Sequence, residues 1–330
     1  MKAAYIRKHG GPEVIEIGER PYPSLEAGEV ILRVKATGLN RLELYSRAGT
    51  RGTKLPDTAM PHILGGECAG EIVEIGSGVS HLSIGQRVVV NPHCGNQVLG
   101  TTRNGSNAEF VASCAENVIP IPDTLSFEQA AGLPTLYLPT WGIVIREGQL
   151  KKSETAVVLS SSSGVGTAAI QIIKGVVGAH CIAVTSSKEK MEKSLSLGAD
   201  HAINYKEENI KDRIVEITNG HGADLVVDST GAAFFEDAYA SLARGGRFGI
   251  CGVTAGYQSQ IHLGQLFSKQ LKLFGTFMGS MEELRSIVNE ASAGNIGTHI
   301  HKLIALEELQ NAHEEMEKSE HFGKFIVSLN

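Results

Sequence analysis

The sequence predicts an α/β protein with two domains, one small and rich in β-strands and one built on a doubly wound parallel sheet. Before residue 124 the apolar runs are short and are separated by Gly, Pro and Ser, which is typical of antiparallel strands. Between 125 and 279 apolar β-branched runs alternate with helical segments, which indicates repeated βαβ units. The tail, 280–330, returns to helix and one last strand, and we expect it to rejoin the first domain.

The first domain is predicted to be a mostly antiparallel, barrel-like unit of residues 1–124 and 280–330. Its turns contain Gly, Pro and Ser, and helical periodicity is scarce. Strands are expected at the stretches EVIEIGE, EVILRVKATGL, ECAGEIVEIG, QRVVVN, AEFVASCAENVIPI and, at the end of the chain, GKFIVSL.

The second domain, residues 125–279, is predicted to contain a parallel sheet. Strands that are apolar throughout are those covered by helices on both faces. These strands are TAVVLS, HCIAVT, HAINY, ADLVVDST, GRFGICGV and LKLFGTF, with helices at 165–177, 188–197, 207–218 and 232–243.

Composition limits the functional class. The formal net charge of −6 and the pI near 6.1 lack the basic footprint that a nucleic-acid partner requires. No apolar segment of signal-peptide length opens the chain, and the most apolar region, 155–184, is interrupted by Ser, Gly, Lys174 and His180. We therefore expect a cytoplasmic protein with no nucleic-acid or membrane partner.

No two of the five cysteines are spaced Cys-x-x-Cys, so neither a disulfide framework nor a zinc knuckle is indicated.

The stretch LSSSSGVG, 159–166, lies between the first of these strands and a helix, where a dinucleotide fold places its phosphate-binding turn. If Gly166 is the last glycine of G-x-G-x-x-G, Ser161 and Ser163 occupy the other two glycine positions, and Gly164 and Val165 complete the turn. Small residues let the backbone approach a pyrophosphate. The alternative, a serine-rich linker, conflicts with the βα unit around it.

The second strand of this domain ends without an acidic residue. An acidic residue there would accept the hydroxyls of an adenosine ribose and repel a 2′-phosphate. Instead Ser186 and Ser187 follow the strand, with Lys188 and Lys190 close behind. This composition suits the 2′-phosphate of NADPH, although the lysines are also compatible with an ordinary exposed helix start.

Taken together, these stretches resemble the medium-chain dehydrogenase/reductase superfamily, and within it the zinc-independent quinone oxidoreductases. The resemblance runs nearly from end to end. It is carried by MKAAYI, ATGLNRLELYSRAG, ILGGECAGEIVEIGSGV, AGLPTLYLPTW, SSGVGTAAIQIIK, LGADHAINY, LARGGRFGICG and HFGKFIVSL. It implies a GroES-like catalytic domain and a Rossmann domain, with the active site in the cleft between them.

The resemblance also locates the positions at which zinc-dependent relatives bind their catalytic metal. Those positions hold Asn40, Gly66 and Thr135 here, and Glu67 follows the lost histidine. The loop that binds structural zinc in those relatives retains only Cys94, which together with His93 is compatible with adventitious metal binding but does not close a tetrahedral site. We therefore expect no metal. Quinones and α,β-unsaturated carbonyls become the expected substrates, because their oxyanions are delocalised and need no Lewis acid.

Three residues match the family's catalytic N-x-x-D-x-Y-x-R pattern, with Glu43 in place of Asp. Asn40 and Tyr45 are expected to donate hydrogen bonds near the substrate carbonyl, and Arg47 with Glu43 to orient the loop. The alternatives are an Asn40 amide that braces a turn, a Tyr45 that only packs, and a Glu43–Arg47 ion pair.

Further cofactor contacts are expected from the resemblance and from the carboxyl edge of the sheet. They are Tyr205, Ser229, Thr230, Cys251, Gly252, Val253 and Lys324. Lys324 is also compatible with a solvated lysine before an edge strand. Relatives carry threonine at the position of Pro139, which places the nicotinamide contact there in doubt.

Other functions stay open: an NADPH-binding sensor or structural protein without turnover, and a residual alcohol dehydrogenase. The apolar segment 261–279 ends the predicted sheet, and such an edge invites pairing with a second chain. We expect a homodimer or a homotetramer, unless a helix of the same chain covers that edge.

Overall fold

The computed structural model describes residues 1–329, with Cys94 described by its backbone alone. The chain divides into two compact units. Unit 1 comprises Met1–Thr135, Leu284–Ser292 and Ile300 onward, and unit 2 comprises Leu136–Glu283 and Ala293–His299.

The strands of unit 1 are β1 (Lys2–Ile6), β2 (Ile15–Glu19), β3 (Glu29–Gly38), β4 (His62–Ile63), β5 (Cys68–Ile75), β6 (Arg87–Val90), β7 (His93–Cys94), β8 (Gln97–Val98), β9 (Phe110–Cys114), β10 (Val118–Pro120), β17 (Ile300–Ala305) and β18 (Lys324–Ser328). The strands of unit 2 are β11 (Thr155–Val158), β12 (His180–Thr185), β13 (His201–Asn204), β14 (Ala223–Asp228), β15 (Leu242–Ile250) and β16 (Lys272–Gly275).

The α-helices are α1 (Arg41–Ala48), α2 (Phe127–Ala131), α3 (Leu133–Trp141), α4 (Gly164–Gln171), α5 (Lys188–Ser196), α6 (Ile210–Ile217), α7 (Ala232–Ala240), α8 (Leu263–Ser268), α9 (Met281–Ser292) and α10 (Leu309–Lys318). Two of them continue as π-helix. Gly142–Glu147 follows α3, and Ile172–Val177 follows α4.

Unit 1 is built on a mainly antiparallel sheet in the order β10-β6-β5-β3-β18-β17, with β9 also paired to β3. The β17–β18 pair is parallel. A second sheet, β2-β1-β4, completes the β-rich unit. The strand β3 is central because it pairs with β5, β9 and β18, and it brings the C-terminal strand next to residues from the first quarter of the chain. The GroES-like fold expected for this domain is confirmed.

The boundary between the units lies after Thr135 rather than at 124. The reason is the packing of α2, which contacts β3, β5, β6 and β18 of unit 1. At the other end, the tail returns to unit 1 as expected, except that 280–283 and 293–299 group with unit 2.

Unit 2 contains a six-stranded parallel sheet in the order β13-β12-β11-β14-β15-β16. This is the doubly wound order in which the chain reverses direction next to the first strand, here between β11 and β14. The buried core of this unit includes Val157, Ile182, Val226 and Phe248 from four of the strands. The predicted Rossmann sheet is confirmed. Within residues 1–329 no helix is both long enough and apolar enough to cross a bilayer.

Candidate active site

A buried polar cluster forms in unit 1 at one end of three neighbouring strands. Glu67 directly precedes β5, Asn40 follows the end of β3, and Lys324 begins β18. Backbone hydrogen bonds hold these chain segments together: the Gly38 N–H donates to the Glu67 carbonyl (3.3 Å) and the Leu39 N–H to the Phe325 carbonyl (3.1 Å). Because both neighbours run antiparallel to β3, their first residues meet its last ones.

Glu67 is a fully buried carboxylate with several donors. The Lys324 ammonium donates to its Oε1 at 2.5 Å and the Asn40 amide to the same oxygen at 2.8 Å. Its Oε2 accepts the Thr135 backbone N–H at 2.7 Å. Thr135 is in the first turn of α3, where backbone N–H groups have no partner within the helix and favour negative charge. These hydrogen bonds hold the carboxylate in one orientation.

The Asn40 side chain makes its hydrogen bonds within this cluster. Its Nδ2 donates to the Gly38 carbonyl (3.2 Å) and to Glu67, and its Oδ1 accepts from Lys324 at 2.5 Å. An amide has two N–H donors, and both are used. Neither N–H of Asn40 is left to donate to a substrate carbonyl. The geometry therefore favours the alternative, an amide that braces the turn.

Lys324 is not the solvated lysine that the alternative described, because its side chain is only 2% exposed and belongs to the unit 1 cluster. The expected contact of Lys324 with the cofactor stays a prediction. Its strand, β18, is interior because it lies between β3 and β17. A buried ammonium needs a counter-charge, and Glu67 supplies it. The sequence indicates only one member of this pair. Glu67 follows the position of the lost histidine, and no sequence pattern assigns it a partner.

Glu43 is a second buried carboxyl close to the first. It accepts the Asn40 backbone N–H at 3.1 Å and the Asn107 side-chain amide at 3.0 Å. Burial outweighs these hydrogen bonds and the attraction of Lys324, and it raises the pKa of Glu43 from 4.5 to about 7. The expected ion pair of Glu43 with Arg47 is not formed, since both bond to other residues.

Arg47 fastens α1 to α10 and to an N-terminal loop. Its guanidinium donates to the Gly10 carbonyl (3.2 Å) and to Glu317 (2.5 Å), and it contacts His313 Nδ1 at 3.2 Å. Desolvation lowers the pKa of His313 to about 3, so this imidazole is neutral beside the cation. Arg47 therefore fixes the helix that begins after Asn40. Tyr45, on the same helix, is half-buried, and the guanidinium of Arg51 lies 4.3 Å from its ring centre.

Two glycines near the cluster differ in the space around them. At Gly38 a Cβ would lie 2.6 Å from Glu67 Oε1 and 2.8 Å from Lys324 Cε, so only glycine leaves space for that ion pair. At half-buried Gly66 a Cβ would meet a single atom, the Leu99 carbonyl oxygen at 3.7 Å. The position directly before Glu67 is therefore open.

The donor set does not fit a zinc ion. Gly66 offers no ligand, the Asn40 amide is engaged, and the one anionic oxygen pair, on Glu67, is already neutralised by an ammonium. Among the side chains that the structure describes, no three of His, Cys, Asp or Glu converge as metal ligands. The hypothesis about Cys94 falls on a side chain outside the described part of the chain.

The serine-rich stretch forms a turn between β11 and α4 in unit 2, and not a linker. Ser160 adopts the left-handed conformation (φ 53°), and the Ser163 hydroxyl caps α4 by accepting the Gly166 N–H at 3.0 Å. A Cβ on Gly166 would lie 2.3 Å from the Ser160 carbonyl oxygen. The turn is thus closed against the helix start as a phosphate-binding turn requires, with Gly164 and Val165 in the first turn of α4.

Several other predicted cofactor residues lie at the carboxyl ends of neighbouring strands. The Tyr205 N–H bonds the Thr185 carbonyl, which joins the ends of β13 and β12. Ser186 and Ser187 follow β12, and the Ser187 hydroxyl caps α5 by accepting the Lys190 N–H at 3.3 Å. The Thr185 hydroxyl is buried there without a hydrogen-bond partner. Ser161 is buried and its hydroxyl pairs with Ser194 at 2.9 Å, so this serine packs the turn.

The ends of β14 and β15 bring the remaining residues together around Asp228, which the sequence analysis missed. Its carboxylate accepts from the Thr230 N–H (2.7 Å), the Thr230 hydroxyl (2.5 Å) and the Gly231 N–H (3.0 Å). The Cys251 N–H bonds the Asp228 carbonyl at 2.9 Å, and burial raises the pKa of the Cys251 thiol to about 12.

At the next two positions, a Cβ on Gly252 would approach the Ser229 carbonyl at 2.9 Å, and Val253 follows. These residues and the β11 turn form a rim at the carboxyl edge of the sheet, where doubly wound folds bind dinucleotides.

Pro139 is inside α3, and its carbonyl accepts the Thr276 hydroxyl at 2.8 Å. The hydroxyl of Thr140 donates to the Leu136 carbonyl at 2.6 Å within the helix. Thr140 is fully buried and its proton is committed, so it does not replace the missing threonine as a donor to the nicotinamide.

Two known families match the chain, one within unit 1 and the other mainly within unit 2. The family described as alcohol dehydrogenase GroES-like domain matches residues 26–123, and the family described as zinc-binding dehydrogenase matches residues 164–293. The chain is 31% identical to a quinone oxidoreductase of Salmonella typhimurium over 98% of both chains, and 30% identical to one of Pseudomonas aeruginosa over 99% of both. The crystal structure of an NAD-dependent alcohol dehydrogenase superposes with a TM-score of 0.94 at 34% identity over the whole of both chains.

The shared fold, the two matching families and the cofactor rim lead to one assignment: the chain belongs to the medium-chain dehydrogenase/reductase superfamily, in its quinone oxidoreductase-like branch, and is an oxidoreductase that binds a nicotinamide cofactor.

Proposed function

We propose that the protein is an NADPH-dependent oxidoreductase that reduces quinones or α,β-unsaturated carbonyl compounds without zinc. The observation that carries this proposal is the buried Lys324–Glu67 pair, with its 2.5 Å contact, among the positions where zinc-dependent relatives bind metal. An acceptor that already delocalises negative charge needs only hydrogen-bond donors and a fixed positive charge.

The proposed preference for NADPH is based on the residues that follow β12. No carboxylate follows that strand before α5, and the acidic residue of the first turn, Glu189, is paired with Lys193 at 2.6 Å. Ser186, Ser187 and Lys190 present hydroxyl and ammonium groups that suit a 2′-phosphate. Tyr205 lies beside them at the end of β13.

The reaction transfers one hydride and one proton to the acceptor. The bound nicotinamide supplies the hydride and is oxidised in doing so. An enone gains a C–H bond at its β-carbon, its C=C π electrons move to the carbonyl oxygen, and a proton from water completes the saturated ketone. A quinone gains two electrons and two protons and becomes a hydroquinone. We assign Tyr45 as a candidate donor near the acceptor, and Asn40 and Arg47 as residues that position the site.

The test is steady-state oxidation of NADPH and NADH against a panel of quinones, enones, simple aldehydes and, in the reverse direction, alcohols. We expect turnover with quinones or enones, at least tenfold higher kcat/KM with NADPH than with NADH, and less than 0.1 equivalent of zinc by elemental analysis. Stoichiometric zinc that is required for turnover would refute the proposal.

The same assay also distinguishes two other functions. Alcohol oxidation is favoured by the 34% identity to an NAD-dependent alcohol dehydrogenase, and it predicts turnover of alcohols with NAD⁺. A binding protein without turnover is favoured by Pro139, which removes a hydroxyl expected near the nicotinamide. Micromolar binding of NADPH together with inactivity on the whole panel would support that function.

We also propose that the protein forms a homodimer, or a dimer of dimers, through the edge of its parallel sheet. The strand β16 is last in the sheet order, so its outer edge carries no other strand of the described chain. Leu263 and Phe267 of the preceding helix are 70% and 84% exposed, and Phe277 after the strand is 79% exposed. A second copy paired along β16 would satisfy that edge and cover these side chains. A light-scattering mass of one protomer would exclude it.

A further inference from the structure

Two loops of unit 2 follow the carboxyl ends of β14 and β15, at residues 229–231 and 251–256, and they are bonded to each other. The backbone hydrogen bonds between these two chain segments include Cys251 N–H to the Asp228 carbonyl (2.9 Å), Ala255 N–H to the Thr230 carbonyl (2.7 Å) and Ala232 N–H to the Gly256 carbonyl (3.2 Å). Because donors come from both segments, neither loop can shift without the other.

The side chain of Asp228, the last residue of β14, fixes the first loop from the protein interior. It is fully buried, and its carboxyl accepts the Thr230 N–H at 2.7 Å, the Thr230 hydroxyl at 2.5 Å and the Gly231 N–H at 3.0 Å. Within residues 1–329 no cation pairs with this carboxyl, and burial raises its pKa despite the three donors. An acidic group buried without a counter-charge is costly, and all the hydrogen bonds that compensate it come from the loop.

Gly231 keeps the two loops in contact. Its φ is 81°, in the left-handed region, and a Cβ at this position would lie 2.3 Å from the Gly256 carbonyl oxygen of the second loop. Gly245, near the amino end of β15, has a similar φ of 76°, but a Cβ there would meet no atom within 4 Å. A side chain at Gly231 would therefore strain the backbone and also push the loops apart, whereas one at Gly245 would only strain the backbone.

The paired loops lie on one particular half of the cofactor edge. A doubly wound sheet binds a dinucleotide across the point where the strand order reverses, with one mononucleotide on each half. Here the order reverses between β11 and β14. The phosphate-binding turn follows β11, and the residues expected at the adenosine follow β12, so the half that remains for the nicotinamide nucleotide is the one formed by β14 and β15.

We propose that Asp228 is a positioning residue for the nicotinamide half of the cofactor, because it holds the 229–231 loop, and through it the 251–256 loop, in the conformation that binds this half. The carboxyl is fully buried and already bonded to the loop, so Asp228 acts through the loop and not on the ligand. Loops that are ordered before binding lose less conformational entropy when the cofactor arrives. The inference requires a nicotinamide cofactor only, and it is independent of the acceptor and of the preference for NADPH.

The decisive experiment compares Asp228→Ala with the wild type, as full-length proteins, for binding of the whole cofactor and of its adenosine half. The probes are NADPH and 2′,5′-ADP, or NADH and ADP if NADH binds more tightly, and calorimetry measures their affinities. We expect Asp228→Ala to weaken the whole cofactor about tenfold or more, since loops that must be ordered on binding reduce affinity. The adenosine fragment should change less than twofold. A general loosening of unit 2 would weaken both.

Asp224→Ala is the matched control. Asp224 lies at the amino end of the same strand and accepts the Thr155 N–H at 2.8 Å, so this variant also loses a hydrogen-bonded carboxylate, but at the opposite edge of the sheet. Both affinities should stay within twofold of the wild type. Asp228→Asn keeps one acceptor oxygen for the loop, and it should show a smaller loss than Asp228→Ala, again confined to the whole cofactor.

A second pair of variants disturbs the same loops with Asp228 intact, and it decides the question if Asp228→Ala does not fold. Gly231→Ala places a Cβ against the Gly256 carbonyl, and it should also weaken the whole cofactor about tenfold and spare the adenosine fragment. Gly245→Ala carries a similar backbone strain without the collision, so it should leave both affinities within twofold.

Hydrogen exchange in the cofactor-free proteins reports the loops directly. Asp228→Ala should accelerate exchange of the Thr230, Gly231 and Ala255 amides and leave those of the β11 turn, 160–166, unchanged. Unchanged exchange in the paired loops would overturn the inference. Equal weakening of the whole cofactor and of the adenosine fragment, or wild-type affinity for both, would also show that Asp228 does not position the nicotinamide half.

Discussion

Replacing Glu43 with Gln should change how stability depends on pH. Folding raises the pKa of Glu43 from 4.5 to about 7, so between these values the native state holds a proton that the unfolded state has released. The stabilisation from this group is complete below pH 4.5 and is lost as pH rises through 7. A pKa difference of this size corresponds to roughly 3 kcal/mol, most of which is lost between pH 5 and pH 8.

The Gln side chain keeps the size and the hydrogen-bonding capacity of the neutral acid but has no proton to lose. The difference in unfolding free energy between wild type and variant should therefore move by roughly 2–3 kcal/mol in favour of the variant from pH 5 to pH 8. Urea unfolding followed by circular dichroism at four pH values measures it. Glu116→Gln, at an exposed position, is the control and should give a constant difference.

Infrared spectroscopy provides a direct check, because a protonated Glu43 contributes a carboxylic acid C=O band at pH 6 that the variant lacks. The Glu67 carboxylate and the Lys324 ammonium both face Glu43 and act on its pKa in opposite directions, with the lysine lowering it. A difference between wild type and Glu43→Gln that does not vary with pH would refute the reasoning, since it would mean that Glu43 is already ionised at pH 5.

Four further variants test the site and the interface. Gly38→Ala places a Cβ 2.6 Å from a Glu67 oxygen, so kcat should fall at least tenfold while NADPH affinity, measured by fluorescence, is kept; unchanged kcat would show that the ion pair can shift without loss. Gly166→Ala collides with backbone at 2.3 Å and should weaken NADPH binding at least tenfold by calorimetry, and wild-type affinity would contradict the turn as a phosphate site. Lys190→Ala should weaken NADPH about tenfold, or about 1.4 kcal/mol, and leave NADH within twofold; equal losses would remove the 2′-phosphate role. Phe267→Asp should halve the light-scattering mass, and an unchanged dimer would place the interface elsewhere.

The sequence by itself determined the architecture and the dinucleotide rim. Apolar strands that alternate with helices predict the parallel sheet, and once its order is known every carboxyl-end residue falls on the same edge. Ser163, Gly166 and Ser187 could therefore be named from local pattern, whereas Tyr205 was named from the resemblance to the family. The same reasoning failed to assign Asp228, because a carboxylate that ends an apolar strand gives no sign of the N–H groups it will accept.

Only the tertiary structure decided the polar cluster of unit 1. Lys324 and Glu67 are 257 positions apart, and Lys324 and Asn40 are 284 apart, so no periodicity or motif joins them. They meet because β5, β3 and β18 are neighbours in one sheet with antiparallel pairings at β3. This pairing engages both N–H groups of Asn40, which the sequence predicts as a substrate donor, and places Lys324 at the centre of the cluster. Burial, which sequence spacing does not encode, raises the pKa of the Glu43 carboxyl beside this pair.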